Sequence, residues 1–143
     1  MTLRLLAEDA GDLQVISAAL QDAVAKVGEI RFDPAARTLT VACNRFRWEA
    51  SGRGSRAGER VRSALQLGGV TAVRSRHVRL DTPGAVVSLL DITWEPASEP
   101  PGGALVVTLA GGGELRAEAE ALDAILADVS DPWPARRAPD HSG

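Results

Sequence analysis

Apolar and polar positions along this chain change period several times, and each change marks an element. Leu3, Leu5 and Leu6 open as a short strand. Leu13, Ile16 and Leu20 then follow at spacings of three and four, which predicts a helix over 9–20 with one apolar stripe. Asp9 is placed to cap it, and Asp12 adds charge near its N-terminus. From residue 23 the period moves toward two. Val27, Ile30 and Phe32 precede the turn Asp33-Pro34-Ala35-Ala36. Leu39, Val41 and Cys43 are apolar on odd positions, but Phe46 and Trp48 on even ones. That switch implies a bulge, a twist or two buried faces near Cys43-Asn44.

Further strands are expected over 61–67, 70–80 and 86–94, with turns at Gly68-Gly69 and at Asp81-Thr82-Pro83-Gly84. Leu105, Val107 and Leu109 alternate, Gly111-Gly112-Gly113 turns, and Leu115, Ala117 and Ala119 alternate again, a clear hairpin. Leu122, Ile125, Leu126 and Val129 fall at i, i+3, i+4 and i+7, which predicts a closing helix ended by Pro132 and Pro134. The expected class is α+β. About seven antiparallel strands form a curved sheet or partly open barrel, with one N-terminal and one C-terminal helix. A C-terminal helix on such a sheet is analogous to a pleckstrin-homology-like barrel, an analogy of fold alone. The expected organisation is one domain over 1–131, a flexible Gly/Ser/Arg loop at 51–58 and a disordered tail over 132–143.

Composition supports a core. Leu, Ile, Val and Phe number 35 of 143 residues, above the range where disorder is expected. The single cysteine, Cys43, excludes an internal disulfide or a thiolate cluster. The longest apolar run is far too short to span a bilayer, and no secretory signal precedes it, so a cytoplasmic protein is expected. Tyrosine is absent, which excludes tyrosine catalysis.

Charge changes the picture more. The formal net charge is −3, and fifteen of the sixteen basic residues are Arg, Lys26 being the exception. Residues 45–80 hold nine Arg against Glu49 and Glu59, net +7, while 81–143 carry three Arg against eleven acids, net −8. The basic block either neutralises the acidic one or meets an anionic partner. Arg45, Arg47, Arg60, Arg62, Arg74, Arg76 and Arg79 are therefore the candidate anion- or partner-binding residues. Trp133, between two prolines, folds back as a clasp or anchors a partner.

Other chemistry is weakly signalled. In Arg45-Phe46-Arg47-Trp48, strand geometry puts the aromatics opposite the arginines, which favours burial of the aromatics over a base-stacking platform. His77 lacks companions at metal-ligand spacing, and His141 lies in the tail. The glycine run lacks the Lys-Ser/Thr of a phosphate loop. Asp91 reads as a solvated strand residue, and Glu114, Glu118, Glu120 and Asp123 as an acidic surface. No catalytic residue, metal site or cofactor is assigned.

Four segments carry a resemblance. LLAEDAGDLQVISAALQDAV at 5–24, NRFRWE at 44–49, AVRSR at 72–76 and VVSLLDITWE at 86–95, with AGGGELR at 110–116, resemble a small bacterial family known as domain of unknown function 2948. The resemblance spans about residues 3–133 and implies a bacterial cytosolic origin, with no site residues to carry over. The SGRGSRAG loop departs from the family pattern.

The lead expectation is a non-enzymatic module that docks on another protein, with a homo-oligomer left open. The alternative is RNA, DNA or another polyanion bound through 45–79. A third is a small enzyme holding an anionic substrate with Arg45, Arg74 or Arg76.

Overall fold

The computed structural model describes residues 3–47, 59–131 and 133–134. Its elements are β1 (Arg4–Ala7), α1 (Ala10–Leu20), β2 (Val24–Lys26), a 3-10 turn (Val27–Glu29), β3 (Ile30–Asp33), β4 (Thr38–Phe46), β5 (Glu59–Leu67), β6 (Val70–Arg76), β7 (Val86–Pro96), β8 (Gly103–Leu109), β9 (Glu114–Ala119), β10 (Ala124–Asp128) and β11 (Trp133–Pro134). Every strand pairing is antiparallel. The order is β1-β10-β5-β4-β2-β7-β8-β9-β6, with β3 beside β4 and β11 beside β5.

The expected α+β class with helices at both ends is thus overturned. The protein is mostly one open antiparallel sheet of eleven strands, not about seven, with a single α-helix among the described residues. The analogy to a barrel closed by a C-terminal helix falls with it. The segment read as that helix is β10, inserted between β1 and β5. Its apolar residues fit either period over so short a run, and strand pairing decides. Ala124 and Leu126 point inward, whereas Ile125 is half-buried and Val129 is 61% exposed. A helical stripe would have buried Val129 with Leu126.

Helix α1 forms where expected. The Asp9 carboxylate accepts the Asp12 N–H at 2.7 Å, which satisfies one of the free donors of the first turn. Leu13, Ile16 and Leu20 are buried, and the helix packs on β7, β1, β4 and β10. One core cluster therefore joins both parts of the sheet: Leu39, Val41, Leu65 and Leu126 from one side, Leu89, Ile92, Leu105, Val107 and Leu115 from the other.

Two irregularities explain sequence patterns that strict alternation does not. In β7 the register slips between Leu89 and Asp91, so Leu90 is the extra residue and is exposed. Odd positions face the core before it and even positions after it. The Ile92 N–H at this bulge is taken by the Ser17 hydroxyl of α1 at 3.1 Å. In β4, by contrast, pairing with β5 runs unbroken from Leu39 to Phe46. Of the three explanations for its parity switch, two buried faces is the one realised. Arg45 keeps the inward register of Leu39, Val41 and Cys43, and Phe46 is buried on the other face.

Glycine matters at two joints. Gly69, with φ +67°, turns β5 into β6, which lies at the far edge of the sheet. At Gly103 a Cβ would lie 2.5 Å from both the Trp94 ring and the Glu95 carbonyl oxygen. The backbone oxygen cannot rotate away, so Gly103→Ala is expected to destabilise by about 1–3 kcal/mol, read as a lower urea midpoint. An unchanged midpoint would show that β7 and β8 can separate slightly at no cost.

No helix among the described residues is long and apolar enough to cross a membrane.

Candidate functional site

Alternation along β4 and β5 sorts the arginines between two faces. Odd positions point inward, so Arg45 follows Cys43 into the interior and its side chain is fully buried. Its guanidinium meets Asp128 in a forked pair, with Nε 3.0 Å from Oδ1 and Nη2 3.0 Å from Oδ2. Ser63 accepts from Arg45 Nε at 3.2 Å and donates to Asp128 Oδ1 at 2.7 Å. The Leu3 N–H donates to Asp128 Oδ2 at 2.9 Å, which ties the first strand to this cluster. Burial alone would raise the Asp128 carboxyl. The hydrogen bonds from Arg45, Leu3 and Ser63, with the Arg45 charge, outweigh it and hold the carboxyl below its ordinary value. The cluster is an internal ion pair, with the Ser63 hydroxyl committed to a carboxylate.

The neighbouring Cys43 thiol is pushed up to about 12, chiefly by burial, against the opposing pull of Arg62 and Arg45. It stays protonated and is a poor nucleophile at neutral pH. His77 is exposed just past β6, in a left-handed conformation with φ +55°. Among the described residues, no group of three His, Cys, Asp or Glu is placed to hold a metal ion.

Even positions of β4 and β5 form the outer face. There Val24 of β2 lies opposite Asn44, Asn44 opposite Arg62, and Phe46 opposite Arg60, which in turn pairs with Trp133 of β11. Arg62 donates Nη1 to Asn44 Oδ1 at 3.2 Å and pairs through Nη2 with Glu29 of the 3-10 turn. Arg60 reaches the Asn44 carbonyl at 3.5 Å. Trp133 is 37% exposed beside it. A cleft of about 160 Å³ opens on this face, lined by Val24, Ala25, Lys26, Asn44, Arg62 and Val86. At the end of the same strands Arg47 pairs with Glu59 at 2.6 Å. Trp48 and the loop 51–58 lie outside the described residues, as do His141 and most of the segment 132–143.

Arg74, Arg76 and Arg79 lie elsewhere. Strand β6 ends the sheet, and across β9 and β8 its residues form rows: Arg74, Arg116, Val106 and Thr93; then Arg76, Glu114, Thr108 and Asp91. Arg116 is held by Glu95 at 2.6 Å and Glu118 at 3.3 Å, and Arg76 by Glu114 at 2.7 Å. Arg74 and Arg79 are exposed and make no ion pair among the described residues. Part of the acidic block therefore does neutralise the basic one, through Asp128 and Glu114. A second cleft, about 170 Å³, lies between α1 and β7 beside Trp94. Both clefts are smaller than the usual small-molecule site of roughly 300–1,000 Å³.

The structure thus brings Arg60, Arg62 and Trp133 together and sets Arg74, Arg76 and Arg79 apart from them. Sequence reasoning missed Lys26, Asn44, Glu29 and Asp128. Asn44 was legible from strand parity, being an even position of the same run. Asp128 was hidden by the helical reading of its segment.

The family model described as "Protein of unknown function (DUF2948)" matches residues 3–141. No curated protein and no solved structure matches the chain.

Proposed function

This chain belongs to the DUF2948 family of proteins of unknown function, and we propose that it is a protein-docking module that takes an acidic, extended segment of its partner along the edge of β6 that no described strand pairs, beyond Val70, whose N–H is taken by the Arg37 carbonyl. One observation carries the reading. Arg74 faces Arg116 directly across the β6–β9 pair, and like charges in facing positions are unfavourable. Two carboxylates hold Arg116, whereas Arg74 has none among the described residues. The next position in that row belongs to whatever pairs with β6, and a carboxylate there complements Arg74. Strand addition to an open edge supplies the main-chain hydrogen bonds, and the charge supplies selectivity. The exposed Leu80, just beyond the strand, adds apolar contact. The same arginines discourage two copies from pairing edge to edge, since Arg74 and Arg76 would meet like charges. A cytoplasmic location belongs to this reading.

The test is titration of the intact protein with an eight-residue peptide alternating Glu with Thr, followed by backbone amide shifts. Saturable shifts along 71–76 that weaken with salt support the reading. Arg74→Glu should weaken binding by roughly tenfold or more, about 1.4 kcal/mol. Equal affinity for that variant, or shifts confined to other strands, overturns it. Tight, steeply salt-dependent binding of an RNA oligonucleotide in place of the peptide would favour the polyanion alternative.

A further inference from the structure

We propose that the outer-face cleft between β2, β4 and β7 is a binding site for a tetrahedral oxoanion, either free phosphate or the phosphate of a small monoester. The site arises where β4 changes partner. Asn44 pairs with Val24 of β2, but from Thr38 to Val41 β4 pairs with β3, and the 3-10 turn spans the gap. The fork leaves a recess on the outer face, whose apolar lining is Val24, Ala25 and Val86.

Three different nitrogen donors border it. Lys26 is exposed on the Val86 side and makes no ion pair among the described residues. Asn44 accepts from Arg62 through Oδ1, which leaves its Nδ2 without a protein acceptor among them. Arg62 uses Nη1 and Nη2 on Asn44 and Glu29, which leaves Nε. Arg60, bonded to the Asn44 carbonyl, adds a third positive group nearby. Among the described residues, no carboxylate lines the cleft itself. Glu29 stands behind Arg62 and orients it, so the local balance is three cations to one anion. Ammonium, guanidinium and amide donors converging from separate strands suit an ion that accepts on several sides, and charge-assisted contacts of this kind are the strong ones. The site is independent of the β6 edge and stands or falls separately from it.

The experiment is NMR titration of the full chain with inorganic phosphate and, in parallel, phenyl phosphate, at constant ionic strength. Saturable shifts at the Asn44 side-chain amide and the Arg62 Nε–H are expected. Stronger binding of phenyl phosphate would show that Val24 and Val86 contact the organic group, and stronger binding of phosphate that only the ion is held; either supports the site. Lys26→Gln, on an exposed residue, should keep the fold and weaken binding roughly tenfold. Arg62→Gln should do the same or more. Absence of saturation with both compounds overturns the proposal. So does saturable binding that Lys26→Gln and Arg62→Gln leave unchanged.

Discussion

Asp128→Ala is expected to lose about 3–5 kcal/mol of unfolding free energy at neutral pH, because it removes the forked carboxylate that balances the buried Arg45 charge. Both side chains of the pair are almost completely excluded from solvent. The guanidinium would lose its forked carboxylate, while its bonds to the Ser63 hydroxyl and to the Phe46 carbonyl at 3.5 Å are neutral and do not replace that charge. Arg45→Ala should cost a similar amount by the reverse logic, since Asp128 would lose its forked partner. Replacing Arg45 by Met, Ser63 by Ala and Asp128 by Leu together should cost far less than either single change, and a net gain is within expectation. Buried pairs seldom outperform well-packed apolar residues, so the penalty comes from breaking the pair. Urea unfolding of the three variants checks this. Near-equal losses for Asp128→Ala and the triple variant would contradict it.

Acid gives the same pair a pH signature. The Asp128 carboxyl lies below its ordinary value in the folded protein, so the folded state binds the proton less readily than the unfolded chain. Its contribution is complete above the unfolded aspartate pKa of about 3.9, and it is lost as pH falls through the lower folded value. Asp128→Asn should therefore flatten the stability profile below about pH 4. Stability of that variant at pH 7 and at pH 3 should differ less than in the parent protein.

The second large effect separates strand from helix at the C-terminal end. Leu126→Ala should cost about 2–5 kcal/mol, because Leu126 is fully buried in the row formed with Leu65 and Val41. Val129→Ala should change stability by less than about 0.5 kcal/mol, as expected for an exposed position. A helix with the i, i+3, i+4, i+7 stripe would bury both residues and make both losses large. Chemical denaturation of the two variants is sufficient, and similar losses would contradict the strand.

How far the site could be read follows from the same residues. Arg60 and Arg62 were visible as members of a basic block, but only the β4–β5 register puts them on the face opposite Arg45. Their companions were not visible. Lys26 and Glu29 come from a segment more than thirty residues away, and only the pairing of β2 with β4 brings Val24 against Asn44. Arg74 and Arg76 looked equivalent in sequence, yet the strand facing them carries Arg116 at one position and Glu114 at the other. Cross-strand neighbours, not composition, decide which arginine is free.

The sequence alone determined the local elements whose period is unambiguous: the α1 stripe with its Asp9 cap, and the β8–β9 hairpin around three glycines. It also determined that positive charge is concentrated in 45–80. Tertiary structure decided what short or mixed patterns became. It made 124–128 a strand because β1 and β5 each present an edge that a helix there could not pair. It shifted the parity of β7 with one bulged residue, and it drew Arg45 inward because Asp128 arrived opposite. Local propensity over a few residues is worth a fraction of the free energy that backbone pairing and core burial contribute, so where the two differ the long-range contacts prevail.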